Sequence, residues 1–123
     1  GELLSTRSQY LKAAGCLTDG SVRDVKRIRQ MSFPVFAGNI GPLDSKHRGK
    51  LMWYDVPGKI HGVNVNSGDF IFGDVDGVVI VPQQITAEVV EKALQKVREE
   101  NQVRGMLENG VSLAKAFEEH GIL

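Results

Sequence analysis

Apolar residues recur at helical spacing towards both ends of the chain and gather in short runs between them. Leu4, Leu11 and Ala14, separated by polar residues, predict a helix over 2–14 that Gly15 stops. Cys16-Leu17-Thr18 reads as a short strand ending in the turn Asp19-Gly20. Val25, Ile28 and Met31 predict a short helix over 23–31, and Phe33–Ala37 a buried strand. Pro34 lies near the start of that strand, where a ladder tolerates it. Residues 38–49, with three glycines, a proline and mixed charges, read as a loop. Three strand-like runs follow, Leu51–Val56, Ile60–Val65 and Phe70–Phe72, divided by turns at Pro57-Gly58 and Ser67-Gly68-Asp69. Asp74–Gly77 turns the chain into the apolar strand Val78–Val81, which Pro82 stops. Thr86 is the expected N-cap of a long helix over 87–109, with Val89, Val90, Ala93, Leu94 and Val97 on one stripe and Gly110 at its end. A last helix runs from Ser112 to His120 and stops at Gly121. Strand and helix alternate, then strands cluster, then helices follow. That order predicts a layered α/β domain with mixed sheets, not a doubly wound nucleotide fold. Binding and catalysis belong in loops at the strand ends.

Composition narrows the function classes. The 123 residues are one domain's worth of chain, and the 15 basic and 15 acidic residues cancel. A protein that coats nucleic acid or an anionic membrane relies on a basic excess, so direct nucleic-acid binding is not expected. No apolar run approaches the ~18 residues of a membrane span. The single Cys16 excludes an internal disulfide and a cysteine-only zinc site, suits a reducing, cytoplasmic compartment, and reads as a small core residue.

The most suggestive stretch is Asp19-Gly20-Ser21-Val22-Arg23-Asp24. A turn after a buried strand there presents a guanidinium beside a carboxylate. Arg23 offers a planar fork for a carboxylate or keto oxygen. Asp24 offers a hard oxygen suited to Mg²⁺ or Mn²⁺. The same residues also read as a helix cap followed by nothing more than a surface charge. Asp69, Asp74 and Asp76 alternate with bulky apolar residues and lack the EF-hand pattern, so they read as turn residues around a buried strand. His47, His61 and His120 are scattered. No H-x-x-x-H pair, G-x-S-x-G elbow or glycine-rich phosphate cradle is present. The basic run Lys26-Arg27-Ile28-Arg29, with Lys46, His47, Arg48 and Lys50, reads as a solvated face.

Five blocks then carry a resemblance: Gly1–Thr6, Asp19–Asp24, Pro34–Ala37, Gly62–Val65 continuing to Gly68-Asp69, and Gly73–Pro82. In order and spacing they resemble the RraA-like proteins. These include the 4-hydroxy-4-methyl-2-oxoglutarate aldolases, which also decarboxylate oxaloacetate, and the regulator of ribonuclease activity A. The resemblance implies a layered β/β/α swivelling-type domain over 1–123, assembled as a homotrimer or hexamer. It implies a Mg²⁺- or Mn²⁺-dependent class II lyase that forms pyruvate from a small 2-keto acid through an enolate. The alternative it allows is a non-catalytic regulator that binds a ribonuclease or another protein. In the lyase reading the amides of Gly1, Glu2, Leu3 and Leu4 hold the substrate carboxylate, and Arg23 holds the keto oxygen. Asp24 binds the metal, Glu2 works through water as acid or base, and Glu99 or Glu100 serves a neighbouring subunit's site. Three departures stand out. Arg27 replaces an acidic residue, Gly38 replaces a basic one, and family members carry a segment upstream of Gly1. The chain is therefore expected to be the later part of a longer domain.

Overall fold

The computed structural model describes residues 1–122, which divide into two compact units with the boundary after Ile80. The first unit opens with α1 (Glu2–Tyr10) and continues through β1 (Cys16–Val22), α2 (Val25–Gln30) and β2 (Val35–Ile40). Helix α1 ends well before Gly15: Leu11 caps it and Lys12 takes a left-handed φ of 66°. Leu4 and Leu11 are both exposed and only Ser5 is buried, so no apolar contact holds the last predicted turn in place.

Strands β1 and β2 pair in parallel, with α2 as the crossover between them. The predicted turn at Asp19-Gly20 is instead a bulge inside β1. Thr18 pairs with Ala37, but the next pair is Ser21 with Asn39, so β1 carries one extra residue. The Thr18 hydroxyl accepts the Gly20 N–H at 3.0 Å and ties the bulge together. Opposite it, β2 extends through Gly38 to Ile40, into the stretch for which the sequence predicts a loop. A Cβ at Gly38 would strike the Asp19 carbonyl oxygen and lie 3.0 Å from His61 Nε2. This accounts for glycine at a position where the resemblance leads to the expectation of a basic side chain. Ile28 and Phe33 supply the buried core of the unit, whereas Cys16 is exposed and not a core residue.

The remaining runs depart further from the pattern. Leu51–Val56 is not a strand; Leu51, Met52, Trp53 and Tyr54 are all exposed, and no neighbouring strand offers the segment a ladder. The run Ile60–Val65 folds back on itself as a hairpin, β3 (Gly58–Ile60) antiparallel to β4 (Val63–Val65). His61 and Gly62 form the connection with φ of 47° and 81°, the double left-handed geometry that suits a two-residue hairpin. Strand β5 (Phe70–Gly73) pairs with β6 (Val78–Val81). Asp74 Oδ1 accepts the N–H groups of Asp76 and Gly77 in the turn between them, as the sequence reading expects.

In the second unit a single 3₁₀ turn (Gln83–Ile85) precedes α3 (Thr86–Glu108). Thr86 is therefore the first residue of α3 and not its N-cap; its hydroxyl donates to the Pro82 carbonyl at 3.0 Å. Helix α4 (Leu113–His120) packs against α3, with Val103 and Ala116 buried. Ser112 caps α4 through its hydroxyl, which accepts the Lys115 N–H, and Gly121 ends it at φ 68°. The expected stripe on α3 is largely uncovered, Leu94 and Val97 being about half exposed. Among the described residues, no helix is long and apolar enough to cross a membrane.

Candidate active site

The site forms where β1 gives way to α2. Helix α1 is fastened to the far end of α2 by Gln9, whose Nε2 donates to the Met31 carbonyl at 3.1 Å, and Thr6 Oγ1 lies 3.8 Å from Met31 Sδ. This contact brings the start of α1 beside Arg23 and Asp24.

Asp24 adopts a left-handed conformation, φ 62° and ψ 30°. Aspartate enters this region more readily than most side chains, at a strain of order 1 kcal/mol. Its carbonyl accepts the N–H groups of Arg27 and Ile28 at 2.9 and 3.1 Å, so Asp24 begins α2 through its backbone. Its carboxylate makes no cap contact with α2. Instead Oδ2 accepts the Glu2 N–H at 3.2 Å, so Asp24 caps α1 from 22 residues away. The cap residue of α1 itself, Gly1, has no side chain to do so, and a Cβ there would collide with the Asp24 carboxylate. A carboxylate at a helix N-terminus also meets the positive end of the helix dipole.

Arg23 is not a free surface charge. Its Nε lies 3.6 Å from Asp24 Oδ2, and its Nη1 donates to Asp44 Oδ2 at 2.9 Å. Asp44 in turn accepts the Lys46 N–H through Oδ1 at 2.9 Å. The Lys46 amide first, and then the Arg23 guanidinium, hold the Asp44 carboxyl below its ordinary value of 3.8. Together these groups border a cleft of about 540 Å³ lined by Gly1, Glu2, Leu3, Leu4, Ser21, Arg23, Asp24 and the segment Leu43–Ser45.

Every residue singled out from the sequence as a site residue in the first unit thus borders one cleft. Two details differ from expectation. The Glu2 amide is already engaged by Asp24, so the α1 amides open to an anion are those of Leu3 and Leu4. Asp44 was not anticipated; its signal was an acidic residue alone in a segment otherwise carrying Lys46, His47, Arg48 and Lys50. Glu99 and Glu100 lie on α3 in the second unit, where Glu99 accepts from Gln95 and Glu100 faces Lys96.

A strand–turn–helix thus sets an arginine and a carboxylate against a second helix start, on an α/β fold of small sheets. The chain belongs to the RraA-like family: the family model, described as Aldolase/RraA, matches residues 1–80. It is 29% identical over 117 residues to a putative 4-hydroxy-4-methyl-2-oxoglutarate aldolase of Halalkalibacterium halodurans, covering 95% of this chain and 55% of that protein. An uncharacterized protein from Pseudomonas syringae superposes with a TM-score of 0.90 at 28% identity, over 94% of this chain and 58% of that one. RraAS2 of Streptomyces coelicolor, described as an unusual member of the RNase ES inhibitor RraA protein family, gives a TM-score of 0.58 at 28% identity, over 74% and 55% of the two chains. The chain spans between a fifth and just over half of the length of the first curated relatives it matches.

Proposed function

We propose that this chain carries the catalytic cleft of a divalent-metal-dependent class II lyase, which forms pyruvate from a 4-hydroxy-4-methyl-2-oxoglutarate-type 2-keto acid or decarboxylates oxaloacetate. The observation that carries this reading is the left-handed turn at Asp24, which releases its carboxylate from α2 and sets it beside Arg23 and the start of α1.

The donor set fits a hard, water-rich cation. Among the described residues, no group of three or more His, Cys, Asp or Glu side chains surrounds one point, which disfavours a zinc-type cage. Mg²⁺ needs only one or two carboxylates and keeps several waters. Asp24 would hold such an ion, largely through ordered water. When bound, it would act as a Lewis acid on the 2-keto group.

The protein's own groups supply the rest. The Leu3 and Leu4 amides at the start of α1 receive the substrate carboxylate, aided by the helix dipole. Arg23 donates hydrogen bonds to the keto oxygen and stabilises the negative charge that collects there as the neighbouring C–C bond breaks. Glu2, on the first turn of α1, exchanges a proton with the reacting group through water. Aldol cleavage and decarboxylation share the pyruvate enolate, so one cleft serves both. One of the α3 acids, Glu99 or Glu100, completes the site of a neighbouring subunit in a trimer or hexamer of this cytoplasmic protein.

The test follows oxaloacetate loss with Mg²⁺ in the wild type, Arg23→Ala and Asp24→Ala. Both variants are expected to lose turnover by about 10²–10³-fold, the scale of removing an oxyanion donor. Unchanged activity in both ends the proposal. A second reading, a regulator that binds a ribonuclease without catalysis, draws support from Arg27 on α2, where the aldolases carry an acid, and from the likeness to RraAS2. Tight binding of a ribonuclease together with no metal-dependent turnover would favour it.

A further inference from the structure

We infer that Asp44 is a positioning residue for Arg23, and that the segment 41–50 takes part in the cleft through it. The inference rests on the lyase reading above and assigns a role to a residue outside the motif that led to it. A guanidinium is planar, with three nitrogens and five N–H groups in a fixed fork. A group that stabilises charge on one developing oxygen must therefore have its plane fixed before the reaction begins. The Arg23 side chain is not buried deeply enough for packing to fix that plane, its exposure being 41%. The fixing is done by charge at two corners. Nε faces Asp24 Oδ2 at 3.6 Å, and Nη1 donates to Asp44 Oδ2 at 2.9 Å. Two corners of a rigid plane determine the third, and Nη2 has no partner among the described residues, which leaves it for the substrate oxygen.

Asp44 is itself held. Its other oxygen accepts the Lys46 N–H, so the carboxylate cannot swing away without breaking a second bond. The hold costs little reach: the segment has no regular structure, yet Leu43, Asp44 and Ser45 all border the cleft beside Gly1–Leu4. Asp44 thus works through Arg23, touching the substrate only indirectly. It also adds a third carboxylate, after Glu2 and Asp24, to a cleft lined by the Arg23 guanidinium. Removing it relaxes the geometry while making the cleft less negative. Transition-state stabilisation and ground-state anion binding should therefore respond in opposite directions.

The experiment compares the wild-type chain with Asp44→Ala and Asp44→Asn, each checked for native circular dichroism. The first readout is the NMR spectrum of the Arg23 guanidinium, which needs no substrate. Slow rotation about Cζ–Nη1 is expected in the wild type and fast rotation in Asp44→Ala, with Asp44→Asn between them. The second is oxaloacetate turnover with Mg²⁺: Asp44→Ala should lower kcat about tenfold with KM unchanged or reduced, the pattern of an interaction used in the transition state. Unaltered Arg23 rotation in folded Asp44→Ala overturns the inference, as does a raised KM at wild-type kcat. If the wild type turns over no oxaloacetate, the lyase reading fails, and the role of Asp44 as the anchor of Arg23 is decided by the NMR readout alone.

Discussion

Replacing Gly38 with alanine is expected to destabilise the first unit by about 2 kcal/mol, within the ~1–3 kcal/mol that overpacking costs. The new methyl would strike the Asp19 carbonyl oxygen, and the Asp19 carbonyl carbon and His61 Nε2 would each lie only 3.0 Å away. The obstacle at Asp19 is backbone, set in the bulge that shifts β1 against β2, so it can retreat only by breaking the pairing on either side. The obstacle at His61 is a side chain in a turn and can move. The double variant Gly38→Ala/His61→Ala should therefore recover less than half of the loss. Urea titration followed by circular dichroism gives the measurement. With a slope of ~1–3 kcal/mol/M, the midpoint should fall by about 1 M at unchanged slope. A midpoint within ~0.2 M of wild type would refute the close approach of Gly38 to the bulge.

Gly1→Ala should weaken the contact between α1 and Asp24 and reduce Mg²⁺-dependent turnover more than Leu3→Ala does, as oxaloacetate assays would show. Asp44 should titrate below its ordinary 3.8. Its folded-state value is depressed, so its contribution to stability is present above the unfolded value and is lost as pH falls through the folded one. A carboxyl NMR midpoint at or above 3.8 would contradict the Arg23–Asp44 pair. Ser112→Ala, which removes the hydroxyl that accepts the Lys115 N–H, should cost about 1 kcal/mol and show as a lower melting temperature with turnover unaffected.

Local signals carried much of the fold. Gly121 and Ser112 mark the ends of α4 as the pattern predicts, and the turn at Asp74–Gly77 falls where aspartate and glycine place it. The misses are those that depend on partners. Leu51–Val56 has strand composition, but β structure requires a neighbour, and none lies alongside. His61-Gly62 reads as the middle of a strand because Ile60 and Val63–Val65 flank it with strand-type residues, and local sequence does not show that both residues take a positive φ. Within the site, Arg23 and Asp24 stood out as adjacent charges, but spacing could not tell a cap of α2 from a ligand. In the structure the backbone of Asp24 caps α2 and its side chain caps α1. Asp44 was invisible for a different reason: an acid amid basic residues in a loop gives no hint of a partner 21 positions earlier.

The bulge in β1 has a geometric consequence for the cleft. Side chains alternate between the two faces of a strand, so position along it carries a phase. Leu17 and Val22 pair with Phe36 and Ile40, two residues of the same phase in β2. The extra residue at Asp19-Gly20 is a half-period shift, placing two β1 side chains of opposite parity on the same face. Arg23 follows Val22 and takes the other face only because of that shift. Deleting one residue at the bulge would restore an uninterrupted ladder with Val22 still opposite Ile40 and Arg23 on its present side, whereas straightening the bulge with all residues kept would turn Arg23, six positions after Leu17, to the side of Leu17. The side on which Arg23 leaves the strand is thus tied to a count of residues several positions before it.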